Sequence, residues 1–287
     1  MSTYHLGLTG WPLGHSLSPA LHCAALQALE LEGEYMLYPI SPLDEVECAA
    51  GLEQLAQRLR DGSLHGLNVT IPHKQAVLRL VDELTPTAAA VGAVNTLYRR
   101  GERLIGDNTD VPGFLGDLRA QLGAHLPELG GCALVLGAGG SARAVVYALA
   151  SAGWQVVIST RRMQQADELI AAMPAVYRST RLETCPLLPA ELAERLPIDL
   201  IVNTTPLGMS PHIDGNPWPG ALPFPSSAAL YDLVYNPRET SLVRAARAAG
   251  LPAVTGLGML VEQAALAFEL WTGRRVERDV MFAAVAA

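Results

Sequence analysis

The stretch that most restricts what this chain can fold into is Gly137-Ala138-Gly139-Gly140-Ser141-Ala142, which follows the apolar run Ala133–Leu136 and precedes a helix pattern over Arg143–Ala152. Small residues in this order join a buried strand to a helix, and each has its own reason. Gly137 permits the tight turn, Gly139 leaves room for a pyrophosphate against the backbone, and Ala142 lets the helix lie close to the strand. The free N–H groups and dipole at the helix start then favour an anion. The plainer reading is a tight turn that binds nothing. The next apolar run, Gln155–Ser159, leads into Thr160-Arg161-Arg162. No carboxylate stands there for a ribose 2′-hydroxyl, whereas two arginines and neighbouring hydroxyls suit a 2′-phosphate through charge-assisted contacts. Taken alone this is also an ordinary basic loop. Taken with the glycine turn it implies NADP rather than NAD.

The rest of the chain carries the alternation that an α/β fold needs. Tyr4–Thr9, Glu34–Ile40 and Leu64–Ile71 read as strands, with helices over Pro19–Leu31, started by Ser18, and over Leu43–Arg60. Pro72 opens a helix towards Val81, and Val94–Tyr98 pairs with Arg103–Gly106 around the turn Arg99–Glu102. Helices over Val111–Leu122 and Met163–Met173 follow, then strands at Asp199–Asn203 and Ala229–Val234, and closing helices over Met259–Trp271 and Arg278–Ala286. Residues 174–197 show no clear pattern. Met209–Ser227 reads as a long loop of the kind that often binds ligands. At 287 residues, two domains sharing a cleft are expected.

Composition excludes several functions. Half the residues are hydrophobic and 17% are charged, enough for a large core and against disorder. A net charge of -8 argues against a surface made for nucleic acid or an anionic membrane. An anionic ligand would therefore need local donors. Cys23, Cys48, Cys132 and Cys185 lie far apart without C-x-x-C spacing, and the seven histidines lack metal-ligand spacing, so free thiols and no metal are expected. No apolar run approaches the roughly 20 residues of a membrane helix. A soluble, cytoplasmic protein acting on a small molecule is expected, as a monomer or homodimer.

Polar groups concentrate at strand and helix ends in the first half. Ser16 and Ser18 flank a helix start, where two hydroxyls can hold a carboxylate; Ser18 also has a plain reading as a helix cap. Asn68 and Thr70 alternate with apolar residues at a strand end, and Lys74 falls in what reads as a first helical turn, where a cation is disfavoured. Asn95 reads as a polar residue inside a strand, and Asp110 as either a helix cap or a working carboxylate. Asn203-Thr204-Thr205 ends a buried strand, the usual place for ligands in an open α/β sheet. Tyr235 follows another such strand, and Gln263 lies on the penultimate helix.

In combination these segments are far more specific. Ser16-x-Ser18-Pro, Asn68-Val-Thr70-x-Pro-x-Lys74, Gly92-Ala-x-Asn95-Thr, Gly106-x-Asn108-Thr-Asp110, Gly137-x-Gly-Gly-x-Ala142, Asn203-x-Thr205 and Gly256-x-Gly-Met259-Leu-x-x-Gln263 occur in that order. The chain resembles the shikimate dehydrogenase family from about Gly7 to the last helices. The resemblance implies an N-terminal α/β substrate domain over residues 1–109 and 256–287, whose C-terminal helices return to it, and a Rossmann-like NADP-binding domain over 110–255. It further implies Ser16 and Ser18, helped by Tyr235, on a substrate carboxylate. Asn68, Thr70, Asn95, Asp110 and Gln263 would sit on ring hydroxyls, Lys74 and Asp110 would be the catalytic pair, and Gly256 and Met259 would border the nicotinamide. One departure stands out: Gln165 falls where the family often has a second arginine after Arg161. The expected reaction is NADP-dependent interconversion of 3-dehydroshikimate and shikimate. The nearest rival is a quinate/shikimate dehydrogenase of broader substrate or cofactor use, and a non-catalytic sensor on the same frame is the rival of another class.

Overall fold

The computed structural model describes residues 3–128, 130–178, 181–193, 197–220 and 222–285. The chain divides into two compact units, Met1–Gly113 with Val261–Ala287, and Phe114–Leu260. The divisions fall at 113/114 and 260/261, a few residues beyond the boundaries expected from sequence, so that Gly256 and Met259 belong to the second unit.

The first unit runs β1 (Tyr4–Gly10), α1 (Ser18–Ala28), β2 (Gly33–Pro39), α2 (Glu45–Arg60), β3 (Gly66–Val69), a 3₁₀ turn (Ala76–Leu80), β4 (Glu83–Leu84), α3 (Pro86–Val91), β5 (Thr96–Arg100), β6 (Arg103–Asp107) and the start of α4 (Asp110–Leu122). Its six strands lie in the order β2-β1-β3-β5-β6-β4. β1 is parallel to β2 and β3, whereas β5 is antiparallel to β3 and β6. The Arg99–Glu102 turn joins β5 to β6 as expected, with Gly101 at φ +64°. The hydrophobic face of α2 (Leu52, Leu55, Ala56, Leu59) packs on Leu67, Val69, Leu97 and Leu104 of the sheet. Asp44 caps α2 by accepting from the Val46 and Glu47 N–H groups, so the helix starts two residues later than its apolar pattern.

The second unit continues with β7 (Cys132–Leu136), α5 (Gly140–Ser151), β8 (Gln155–Thr160), α6 (Met163–Ala172), α7 (Ala175–Arg178), β9 (Leu182–Pro186), α8 (Pro189–Ala193), β10 (Leu200–Asn203), β11 (Ala229–Asp232), α9 (Ser241–Ala248), β12 (Ala253–Thr255) and the start of α10 (Leu257–Thr272). Every strand pair is parallel, in the order β12-β11-β10-β7-β8-β9. Strands buried on both faces read as continuous apolar runs, which is why Ala133–Leu136 and Leu200–Val202 are all fully buried. The order steps outward from β7 in both directions, the doubly wound pattern with a switch point beside β7. The patternless stretch contains β9 at the sheet edge; residues 179, 180 and 194–196 of it lie outside the described residues. Met209–Ser227 carries no helix or strand among its described residues. The last helix, α11 (Arg278–Val285), packs on α1 in the first unit, together with the second half of α10. No helix among the described residues is long and apolar enough to cross a membrane.

Candidate active site

In the first unit the site grows from the C-terminal end of β3 and the loop before α4. Residues 71–75 form a run of turns and not an α-helix, so Lys74 does not oppose a helix dipole, and Thr70 does not cap a helix. The Lys74 carbonyl accepts from the Val94 N–H (2.8 Å), and the preceding His73 donates through Nε2 to the Ile40 carbonyl (2.8 Å). These contacts fix the turn from both sides. The Lys74 ammonium donates to Asp110 Oδ2 at 2.6 Å, with side chains only 11% and 8% exposed. A charge-assisted bond so little solvated is strong, yet the residual exposure leaves the ammonium reachable.

Asp110 sits in the first turn of α4, where the helix dipole favours a carboxylate. It does not cap that helix: Asn108 Oδ1 accepts from the Val111 N–H at 3.3 Å. Asn95 lies in the bend before β5 and not within a strand. Its Nδ2 donates to Asp110 Oδ1 and Thr109 Oγ1, both at 2.9 Å, and lies 3.4 Å from Gln263 Oε1. Its Oδ1 accepts from the Thr109 N–H (2.8 Å) and Thr96 Oγ1 (3.0 Å). Asn68 Nδ2 donates to the Asn95 carbonyl and Thr96 Oγ1, both at 3.3 Å, while its Oδ1 accepts from the Tyr35 hydroxyl at 2.8 Å. Lys74, Asp110, Asn95, Gln263 and Asn68 are therefore brought together as one hydrogen-bonded lattice. Half-buried Thr70 follows Asn68 at the strand end, its N–H bonded to the Thr9 carbonyl (2.9 Å).

Ser18 is the first residue of α1, behind Leu17 at the cap position, and no side chain caps that helix. The expected cap is thus absent; Ser16 Oγ instead accepts from the Ser18 N–H at 3.3 Å in a short hydroxyl turn. Both hydroxyls stay beside the helix start, Ser18 buried and Ser16 half-buried.

In the second unit the glycine turn has the geometry its sequence implied. Gly137 adopts φ +104°, and a Cβ there would stand 2.9 Å from both Thr204 Oγ1 and Thr205 Cγ2, so only glycine fits. A Cβ on Gly139 or Gly140 would meet nothing within 4 Å. Gly139 is the α5 cap residue and no side chain bonds the N–H groups of that helix start. An uncapped helix N-terminus over open space, with Ala138 and Ser141 half-buried beside it and Ala142 buried against the strand, fits a dinucleotide pyrophosphate. Thr160 is buried at the end of β8, its Oγ1 accepting from the Arg162 N–H (3.3 Å), while Arg161 and Arg162 are exposed.

Behind the turn, Asn203 Nδ2 donates to Asp232 Oδ1 (2.8 Å) and its Oδ1 accepts from the N–H and hydroxyl of Thr205 (2.9 and 2.7 Å). Thr204 Oγ1 donates to the Leu136 carbonyl (2.8 Å). Burial pushes the Asp232 carboxyl up, against the bonds it accepts from Thr240, Val234 and Asn203. Burial likewise raises Tyr235, which belongs to this unit, whereas Ser16 and Ser18 belong to the other. Gly256 lies against the Leu233 carbonyl with no room for a Cβ (2.3 Å). Met259, in the first turn of α10, is buried; its backbone N–H bonds the Tyr231 hydroxyl, which itself donates to Asp117 Oδ2 at 2.5 Å. Sequence reasoning did not single out Tyr35, Thr96, Asp117, Tyr231 or Asp232. Only the two aspartates carried a signal, as acids at positions otherwise apolar.

The family profile of the shikimate dehydrogenase substrate binding domain matches residues 8–97, and that of the shikimate 5′-dehydrogenase C-terminal domain matches residues 256–285. A shikimate dehydrogenase (NADP(+)) from Salinibacter ruber is 43% identical over 100% of this chain and 98% of its own length. Among solved structures, shikimate 5-dehydrogenase from Thermus thermophilus, in complex with NADP(H) and shikimate, is similar with a TM-score of 0.82 and 40% identity, over 98% of each chain. Quinate dehydrogenase from Corynebacterium glutamicum, in complex with NAD, is similar with a TM-score of 0.86 at 31% identity over 99% of each chain. The fold is thus common to both activities, and the relatives at 43% and 40% identity are the shikimate dehydrogenases. This chain belongs to the shikimate dehydrogenase family.

Proposed function

We propose that this enzyme catalyses the reversible NADP-dependent reduction of 3-dehydroshikimate to shikimate, with Lys74 and Asp110 as its catalytic pair. The observation that carries the assignment of residues is the 2.6 Å Lys74–Asp110 contact within a lattice of hydroxyl-binding side chains. When bound, NADPH supplies the hydride that goes to the carbonyl carbon. Lys74 Nζ donates its proton to the developing alkoxide, and Asp110 holds the ammonium in place and accepts from a ring hydroxyl. Asn68, Thr70, Asn95 and Gln263 orient the remaining ring hydroxyls. Ser16 and Ser18, with Tyr235, take the carboxylate without adding a further charge to the site. In the oxidation direction the same residues act in reverse, Lys74 taking up the proton released by the substrate hydroxyl.

For the cofactor, Gly137 to Ala142 hold the pyrophosphate on α5, and Thr160, Arg161 and Arg162 hold the 2′-phosphate. Asn203, Thr204, Thr205, Gly256 and Met259 line the path to the nicotinamide. None of the four cysteines forms a disulfide among the described residues, which fits a reducing compartment such as the cytoplasm, and we take the working form to be a monomer or homodimer. The test is cofactor reduction followed by absorbance with shikimate or quinate, each offered NADP and NAD. Turnover confined to shikimate with NADP is expected. Comparable turnover of quinate, or with NAD, replaces the proposal with the broader-specificity activity, and no turnover in any combination removes it.

A further inference from the structure

A buried aromatic group lies directly behind the hydroxyl-binding lattice of the first unit and takes no part in the proposed chemistry. Tyr35, on β2, is 5% exposed and its hydroxyl donates to Asn68 Oδ1 at 2.8 Å. His22, on α1, is fully buried and stacks on the Tyr35 ring at 4.3 Å with the planes 4° apart. Trp271, on α10, closes the group at 5.2 Å from His22 and donates its indole N–H to the Leu97 carbonyl (3.1 Å). Neither ring nitrogen of His22 makes a hydrogen bond of good geometry among the described residues, although the Asn68 side chain lies close enough to interact with the imidazole. Burial holds that imidazole neutral, so it serves as a flat aromatic wall and not as a charge.

The consequence falls on Asn68. A side-chain amide has two N–H donors and one oxygen with two lone pairs, and it can sit in either of two orientations related by a flip. Here the amide nitrogen donates to the Asn95 carbonyl, in the bend before β5, and to Thr96 Oγ1 at the start of β5, and one oxygen lone pair is taken by Tyr35. A flipped amide would set its oxygen against the Asn95 carbonyl, an acceptor facing an acceptor, and would force the Tyr35 hydroxyl to accept instead of donate. Burial raises the phenol far above its ordinary range, so it remains a proton donor throughout the working pH range. The hydroxyl of Ser18, on the carboxylate side of the site, lies beside the same phenol.

We propose that Tyr35, held in place by its stack with His22, is a positioning residue that locks the Asn68 amide with its oxygen free to accept from one substrate hydroxyl. The inference rests on the proposed reading in which Asn68 holds a ring hydroxyl. It assigns Tyr35 a specificity function: the enzyme distinguishes a substrate that carries that hydroxyl from one that lacks it only while the phenol fixes the amide.

The experiment compares kcat/KM for shikimate and for its 4-deoxy and 5-deoxy analogues in the wild type, Tyr35→Phe and Asn68→Ala. The phenylalanine keeps the ring and its stack and removes only the donor. Tyr35→Phe is expected to lose about tenfold for shikimate, the scale of one hydrogen bond at a desolvated site. It should lose less than about twofold for the analogue that lacks the hydroxyl Asn68 holds, with KM for NADP unchanged. Asn68→Ala is expected to show the same selective loss, larger in size. An equal loss across all three substrates in Tyr35→Phe, with selective loss retained in Asn68→Ala, overturns the positioning inference alone. Equal losses in both variants overturn the reading of Asn68 as well. If turnover of Tyr35→Phe falls below detection, calorimetric binding of the same three compounds gives the same comparison.

Discussion

The candidate sites of the two units are built on opposite principles. In the first unit the groups are side chains tied to one another, Lys74 to Asp110, Asp110 to Asn95, Asn95 to Asn68, with Asp110, Asn95 and Asn68 buried and Lys74 partly so. In the second unit the working surface is mostly the absence of side chains: open space over Gly139 and Gly140 and the bare N–H groups of α5, with exposed Arg161 and Arg162 beyond. Buried polar groups cost free energy unless they are paired, so the first arrangement is stable only when all its members are present. A glycine turn has no such interdependence. The first half should therefore respond to substitution collectively and the second locally, one ligand contact at a time.

The largest effect should come from Lys74→Ala, which removes the proton donor. Turnover should fall by about 10²–10⁴-fold while NADP affinity, read by fluorescence titration, stays as in the wild type. Near-normal turnover would remove Lys74 from the mechanism. Next, Arg161→Asp should lower the NADP/NAD preference by about 10–100-fold, the scale of a lost charge-assisted contact. An unchanged ratio of kcat/KM values would place the 2′-phosphate elsewhere.

The contrast is sharpest within the glycine turn itself. Gly139→Ala has room for its methyl group, so its Tm should match the wild type while KM for NADP rises about tenfold, equivalent to ~1.4 kcal/mol. Gly137→Ala must strain the backbone at φ +104° and collide with Thr204 and Thr205, so thermal melting should show a loss of about 1–3 kcal/mol. If both variants lose stability alike, the open space over Gly139 is needed by the fold and not by the ligand.

The smallest effect concerns His22, whose imidazole burial lowers from 6.5 to about 3. The unfolded chain binds a proton there below pH 6.5 that the native state refuses until about pH 3, so stability contributed by this residue falls as pH drops through that window. Its ring-carbon NMR shift should stay at the neutral value at pH 5, where an ordinary histidine is charged. Titration near pH 6.5 would show the aromatic group open to water.

Much of this was legible in the sequence because it depends on local rules. The parallel strands of the second unit announce themselves as apolar runs, and the Gly137 turn by its residue spacing. What escaped depended on partners distant along the chain. Lys74 looked misplaced at a helix start only because a proline and its neighbours resemble one; the backbone there follows the pairing of Val94 with Lys74. Ser18 lost its expected capping role to Leu17 because the helix begins one residue earlier. β9, at an edge, is only half covered and shows neither a continuous nor an alternating pattern. By contrast α9, with Thr240 as cap, Gly250 beyond its end and Leu242, Val243 and Ala246 buried, was readable and was missed. Tyr35 and His22 could not have been paired from sequence, since nothing local links a strand tyrosine to a histidine on the preceding helix.

Gly66 carries one more consequence. A Cβ there would stand 2.3 Å from the Trp271 ring, so β3 and α10 touch with nothing between them. The wall of the first sheet is therefore finished by a residue synthesised some two hundred positions later. While the ribosome is still making the second unit, His22 and Gly66 remain without their Trp271 cover, and the second unit, contiguous in the chain, can fold first. The order of translation thus makes the dinucleotide half a completed body before the half that holds Lys74 can close.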